Sequence, residues 1–237
     1  MILITHNYYS ESIAMATEIR ILLPDQEPER TVFLLSPEGC SGLEWITNTK
    51  VFVLCDLYRT AYVLVPSLEG CYTDMEYGYK FFSSLKECIR YLNTNFPGIP
   101  ILERCCFAVG VSSGGFAALK LAQEMPSFFA GAASFSGILD LTLSPSGWFT
   151  EKRLLCLHGD EDQRLKKQID FENLCRKAEG QSFRICTKSQ DFGSESSVRI
   201  ANLLGKRANL VSGAGTSDWK TWSDWLGKYM EEIGGIN

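Results

Sequence analysis

The chain carries the pentapeptide Gly110-Val111-Ser112-Ser113-Gly114 and only two histidines, His6 and His158. A serine hydroxyl attacks an acyl carbon when a neighbouring base takes its proton, and imidazole is the usual base. The G-x-S-x-G spacing sets Ser112 on a sharp turn between a strand and a helix, with its hydroxyl exposed at the top of the sheet. The flanking residues fit that setting. Cys105-Cys106-Phe107-Ala108-Val109 reads as a buried strand, and Phe116-Ala117-Ala118-Leu119-Lys120-Leu121-Ala122 as a helix. Gly115, Ala117 and Ala118 let that helix lie close to the sheet.

The elements that must hold this turn follow from the hydrophobic pattern. Ser12 to Leu23 alternates through Ile13, Met15, Thr17, Ile19 and Ile21 and ends at Leu23-Pro24-Asp25, a strand and then a turn. An edge strand containing His6 comes before it. Thr31 to Leu35 and Ala61 to Val65 are further strands. Val51 to Leu57 is ambiguous, its β-branched content suggesting a strand. Tyr77 to Leu92 has helical spacing (Tyr77, Phe81, Leu85, Ile89, Leu92). Beyond the serine turn the pattern predicts a strand over Gly131 to Phe135, a helix over Ile169 to Lys177 and a strand over Phe183 to Cys186. A helix near Ser196 to Leu204, a strand over Asn209 to Ser212 and a terminal helix over Lys220 to Ile233 complete the chain. The whole predicts an α/β protein: one domain over residues 1–237, a mostly parallel doubly wound sheet with helices on both faces, and an antiparallel N-terminal edge.

Bulk properties narrow the function. At 237 residues the chain can bury a full core as one domain. A net charge of -5 with no basic cluster argues against a nucleic-acid surface. No apolar run approaches the roughly 18 residues that span a bilayer, and the start lacks the basic region and cleavage site of a signal peptide. Nine cysteines, an odd number without a C-x-x-C, read as free thiols in a reducing compartment, which places the protein in the cytoplasm. No zinc spacing, P-loop or dinucleotide fingerprint occurs, so neither metal nor cofactor is expected. Trp219, Trp222 and Trp225 read as a packing stripe on the last helix.

Several motifs together resemble the tributyrin-esterase branch of the esterase D group of α/β-hydrolases. They are Tyr8-Tyr9-Ser10, Tyr72-Thr73-Asp74 with Tyr77-Gly78, Gly110 to Gly115, Ala133-Ser134-Phe135-Ser136-Gly137, Gln190-Asp191-Phe192, and Ala214-Gly215-Thr216 with Trp219 and Trp222. The resemblance implies the α/β-hydrolase fold, a serine esterase of short acyl esters, a Ser-Asp-His triad in chain order, and a homo-oligomer. Residues 144–183 correspond to a lid or insertion. Ser112 matches the nucleophile, and the Ser113 backbone N–H one oxyanion donor.

Two acids compete. Leu154 to Asp162 looks like the acid-bearing turn common in α/β-hydrolases and nominates Asp162, whereas the family spacing nominates Asp191, which is favoured. The family's last motif has histidine where this chain has Ser217, and a serine hydroxyl cannot take the Ser112 proton as imidazole does. His6 and His158 are poor substitutes, His158 being the better placed of the two. The family's His-Gly oxyanion loop reads Ser36-Pro37-Glu38 here. Pro37 has no N–H to donate, and Glu38 brings negative charge to a site of developing negative charge. The resulting expectation is an esterase-type serine hydrolase with impaired catalysis, acting on a small acyl ester. The alternative is a non-catalytic relative that binds a ligand or partner.

Overall fold

Side chains alternate along the central strands, and each alternate set starts one of two cores. The computed structural model describes residues 1–68, 70–143 and 150–235 and places its strands in one eight-stranded sheet. β1 (Ile2–Ser10) and β2 (Met15–Leu23) form an antiparallel hairpin at one edge, and β2 also runs antiparallel to β4 (Thr60–Val65). The other strands are β3 (Arg30–Leu35), β5 (Cys106–Val111), β6 (Phe129–Phe135), β7 (Ser182–Lys188) and β8 (Ala208–Gly213). They run parallel with β4 in the order β1-β2-β4-β3-β5-β6-β7-β8. This is the mostly parallel, doubly wound sheet with an antiparallel N-terminal edge that the pattern predicts.

The helices are α1 (Leu43–Asn48), α2 (Val51–Leu57), α3 (Phe81–Asn95), α4 (Ser113–Glu124), α5 (Glu151–His158), α6 (Glu161–Lys177), α7 (Ser194–Leu204) and α8 (Trp219–Gly234). On one face Phe33, Leu35, Ala61 and Val63 pack against α3, α4, α6 and α7. On the other, Val32, Leu34, Tyr62 and Leu64 pack against Trp45 of α1, Leu54 of α2, and Trp225 and Tyr229 of α8. Helices therefore cover both faces, as a parallel sheet requires.

Several stretches differ from the pattern-based expectation: helix α1 is not expected from the pattern, and α6 begins at Glu161 rather than Ile169, where Asp160 caps it. Val51 to Leu57 is helix α2, because Val51, Leu54 and Cys55 bury one helical face. Burying a Val or Leu is worth roughly 1.5–3 kcal/mol, more than the β preference of the same residues, which spans about 1 kcal/mol. Strand β2 begins at Met15, since the chain reverses through Ala14 at φ 50°. Helix α3 begins at Phe81 and extends to Asn95. The lead-in is held out of the helix by Glu76 N–H and Tyr77 N–H, which donate to Leu157 and Cys156 carbonyls. Asp74 accepts from Ser83 N–H at 2.8 Å at the helix start. Finally, Leu154 to His158 is helix α5 rather than a strand end, with Thr150 as its N-cap. Of the stretch 144–183, residues 144–149 lie outside the described residues.

At the β5–α4 junction backbone packs directly on backbone. A Cβ on Gly110 would lie 1.9 Å from the Gly114 carbonyl oxygen, and one on Gly114 would lie 2.4 Å from the Leu35 carbonyl oxygen. Backbone cannot retreat as a flexible side chain can, so Gly114→Ala is expected to cost about 1–3 kcal/mol. Urea unfolding checks this, and an unchanged midpoint would show that α4 does not press on β3 in this way.

Candidate active site

Ser112 sits between β5 and α4 at φ 56° and ψ −121°, a conformation that non-glycine residues rarely adopt. Such backbone costs on the order of 1–3 kcal/mol and persists only when the surroundings over-determine it. Here they do. Ser112 N–H donates to the Phe135 carbonyl at 3.1 Å, and its own carbonyl accepts from Gly115 N–H at 3.0 Å and Ile138 N–H at 3.2 Å. Ser113 opens α4, where a backbone N–H has no acceptor within the helix and the helix dipole favours negative charge.

Segment 135–138 that clamps Ser112 also reaches Asp191. Ser136 Oγ donates to Asp191 Oδ2 at 2.8 Å, and Trp222 Nε1–H donates to Ser136 Oγ at 3.0 Å. Asp191 follows β7 and accepts Lys188 N–H at 2.7 Å on Oδ2. Ser217, in the loop after β8, donates to it twice: its N–H to Oδ1 at 2.8 Å and its hydroxyl to Oδ2 at 2.7 Å. Burial pushes the Asp191 carboxyl up. The hydrogen bonds from Lys188, Ser217 and Ser136 outweigh that and leave it below the ordinary aspartate value. Ser112, Ser136, Asp191 and Ser217 thus all stand at the carboxyl ends of adjacent parallel strands, where α/β sheets bind their ligands.

The other acid and the two histidines lie elsewhere. Asp162 is exposed in the first turn of α6, beside the capping box of Asp160 and Gln163. His6 is on β1, with β2, β4 and β3 between it and β5, and its Nε2 pairs with Tyr91 Oη at 2.8 Å. His158 ends α5 and lines a cavity of about 50 Å³ with Ser113, Cys71 and Phe116. Burial, then the charges of Lys167, Arg164 and Lys120, pull its pKa down to about 4. Its imidazole is therefore neutral but weakly basic. Among the described residues no hydrogen bond reaches the Ser112 hydroxyl from any of these groups.

The Ser36-Pro37-Glu38 loop at the end of β3 is held by the protein itself. Ser36 N–H donates to Tyr72 Oη at 2.9 Å, and Tyr72 Oη–H donates to the Val65 carbonyl at 2.8 Å. The Pro37 carbonyl accepts Cys40 N–H at 3.2 Å. Glu38 forms an ion pair with Arg153 of α5, so its charge is partly neutralised. Burial and then the Glu38 charge push the thiol of neighbouring Cys71 up, so it stays protonated. The sequence assigns no role to Ser136 or Arg153, and it reads Trp222 only as part of a packing stripe, whereas its indole N–H also bonds Ser136. Only the folded contacts reveal that Ser136 bridges Trp222 to Asp191.

The Esterase family model, described as "Putative esterase", matches residues 73–229, a span that includes Ser112, Asp191 and Ser217. The chain belongs to this family. No curated protein matches the esterase chain. Among solved structures it is similar to FphF, a fluorophosphonate-binding serine hydrolase of Staphylococcus aureus, at 18% identity and TM-score 0.80, over 99% of this chain and 98% of that one. It is similar to the S-formylglutathione hydrolase FrmB of Staphylococcus aureus at 18% identity and TM-score 0.79, covering 99% of each chain. The S-formylglutathione hydrolase of Agrobacterium tumefaciens follows at 16% identity and TM-score 0.76, over 98% of this chain and 95% of that one. At these identities the neighbours establish the α/β-hydrolase fold. No helix of the described residues is long and apolar enough to cross a membrane.

The state of Asp191 has a measurable consequence for the esterase fold. Its folded pKa lies below the unfolded value of about 3.9, so it adds stability above that pH and loses it as pH falls through the folded value. Asp191→Asn is expected to flatten the acid limb of the stability curve, measured by urea unfolding between about pH 2 and 6. An acid limb identical to wild type would place the stabilised carboxylate elsewhere.

Proposed function

We propose that this member of the esterase family is a serine hydrolase of short-chain acyl esters, working in the cytoplasm with impaired turnover. Ser112 is the nucleophile, Asp191 the acid, and Ser217 stands in the place of the base. The observation that carries the reading is the bond from Ser217 Oγ to Asp191 Oδ2 at 2.7 Å, which occupies the acid with a hydroxyl where a triad presents imidazole. The small cavity beside Ser113, walled by Ile138, Leu154 and Leu157, suits a short acyl chain. The nine unpaired cysteines suit a reducing compartment.

Attack by Ser112 forms the Oγ–acyl bond and puts negative charge on the former carbonyl oxygen, which the Ser113 N–H at the head of α4 stabilises. The hydroxyl proton then has nowhere suitable to go. Asp191 is too weak a base, its pKa lying below the ordinary carboxylate value. His158, at about 4, falls well short of the near-neutral value that suits a general base. Collapse of the adduct breaks the bond to the alkoxy oxygen and releases the alcohol, its proton drawn from solvent because no imidazole supplies it. Hydrolysis of the resulting acyl-enzyme meets the same obstacle, because water must also be deprotonated. The Ser36-Pro37-Glu38 loop adds a second loss, since a missing oxyanion donor lowers turnover by about 10²–10³.

Hydrolysis of p-nitrophenyl butyrate tests this. Wild type should be slow and Ser112→Ala slower still. Ser217→His should raise turnover by about tenfold or more, and adding Ser36→His with Pro37→Gly should raise it further. If the combined variant gains nothing, Ser217 is not the base position. Wild-type turnover that survives Ser112→Ala would remove the nucleophile assignment.

A further inference from the structure

The pocket of about 50 Å³ beside Ser113 has apolar walls in Phe116, Ile138, Leu154 and Leu157. A plain alkyl chain needs nothing more, yet polar groups face the same space. His158 lines it, is only 7% exposed, and among the described residues its Nδ1 has no hydrogen-bond partner. The Ser113 hydroxyl makes no hydrogen bond of ordinary geometry there either. A buried polar group left unpaired favours a ligand that pairs it.

The pocket is electrically neutral, which decides what kind of group that is. Asp140, the one carboxylate lining it among the described residues, accepts Thr142 N–H at 2.8 Å and pairs with the Arg199 guanidinium at 2.8 Å. Burial, then the charges of Lys167, Arg164 and Lys120, hold His158 at about 4, so its imidazole is uncharged near neutral pH. Burial and then the Glu38 charge keep the Cys71 thiol protonated. Thr73 adds only a hydroxyl. An ionised ligand would enter without a counter-charge, a cost that a neutral polar group avoids. Position matters as well. Ser113 lines this pocket alone, whereas His158 also lines the larger cavity beyond it. A chain attached at the serine therefore meets the imidazole with its far end.

We propose that the acyl group this pocket selects is short and carries a hydroxyl at its far end, hydrogen-bonded to His158 Nδ1. The inference rests on the esterase reading and names the acyl class of that same site. In a neutral imidazole one ring nitrogen donates and the other accepts, and a hydroxyl can do either, so the match holds for both tautomers. An alkyl end leaves Nδ1 unpaired, and a carbonyl end suits only one tautomer. His158 acts here on specificity and takes no proton from Ser112.

Two esters of equal size separate the cases. p-Nitrophenyl 3-hydroxypropionate and p-nitrophenyl butyrate differ by a hydroxyl in place of a methyl. With each kcat/KM divided by the ester's rate with hydroxide, the hydroxy ester should be favoured by about tenfold or more. His158→Leu should bring that ratio to about one. His158→Asn, whose amide offers a polar atom near the Nδ1 position, should keep part of the preference. A second measurement needs neither turnover nor a His158 variant. In Ser112→Ala, 3-hydroxypropionamide should move the nitrogen-15 resonances of His158 and leave those of His6, paired with Tyr91, in place. Butyramide should bind about tenfold more weakly or worse, and the anion malonamate should not compete. Equal normalised rates, a preference that survives His158→Leu, an unmoved His158, or equal binding of butyramide or malonamate would each overturn the inference. Ester hydrolysis that is absent, or that survives Ser112→Ala, counts against the esterase reading instead, and the binding measurement then decides the pocket's preference by itself.

Discussion

The close approach of α4 to the ends of β3 and β5 sets the geometry of everything at the carboxyl edge of the sheet. Gly110 and Gly114 allow backbone to meet backbone where any Cβ would collide. That contact forces the turn to be completed in one residue, and Ser112 takes the resulting left-handed conformation. The strain is confined because three backbone hydrogen bonds tie Ser112 to Phe135, Gly115 and Ile138. Through segment 135–138 the same clamp positions Ser136, and through Ser136 it reaches Asp191. A shift of α4 would therefore be transmitted to the acid, although the two are far apart in the chain.

Asp191 is the electrostatic counterpart of that clamp. A half-buried carboxylate is tolerable only when its lone pairs are filled, and here Lys188, Ser136 and both donors of Ser217 fill them. The loops carrying these donors are fastened together elsewhere. Ser189 and Gln190 N–H groups donate to Gly213 and Gly215 carbonyls, and the Lys188 ammonium donates to the Thr216 carbonyl at 3.0 Å. The acid is thus a structural hub for the β7 and β8 ends whether or not a proton ever moves through it.

Much of this was legible in the sequence, and the exceptions have a common cause. The alternation of β3, β4 and β5 is set by nearest neighbours on a pleated sheet, so a period of two reveals it. The serine turn announces itself because only glycine fits at positions 110 and 114. Helix α2 was not legible, since Val51, Leu54 and Cys55 gain their burial from β2, β4 and α8, which no local pattern encodes. The stretch Leu154 to Asp162 misleads for a related reason. Its apolar run matches a strand end, yet Thr150 and Asp160 supply helix caps on either side and decide for two helices. The roles of Ser136, Trp222 and Arg153 depend on partners between 55 and 115 residues away, beyond the reach of any spacing rule.

Ser217 and Ser36 differ in how well the fold accommodates them. At 217 the serine is well placed, with both its N–H and its hydroxyl bonded to Asp191. At 36 the N–H is bonded to Tyr72, but among the described residues the buried hydroxyls of Ser36 and Ser113 make no hydrogen bond of ordinary geometry. A buried hydroxyl without a partner costs about 1–3 kcal/mol, so the surroundings of Ser36 carry a penalty that those of Ser217 do not. Selection for stability alone would replace Ser36 with an apolar residue of similar size, since its N–H bond to Tyr72 needs no side chain. The surroundings of Asp191 are a self-sufficient hydrogen-bond network, whereas the Ser36 and Ser113 hydroxyls gain no such network among the described residues.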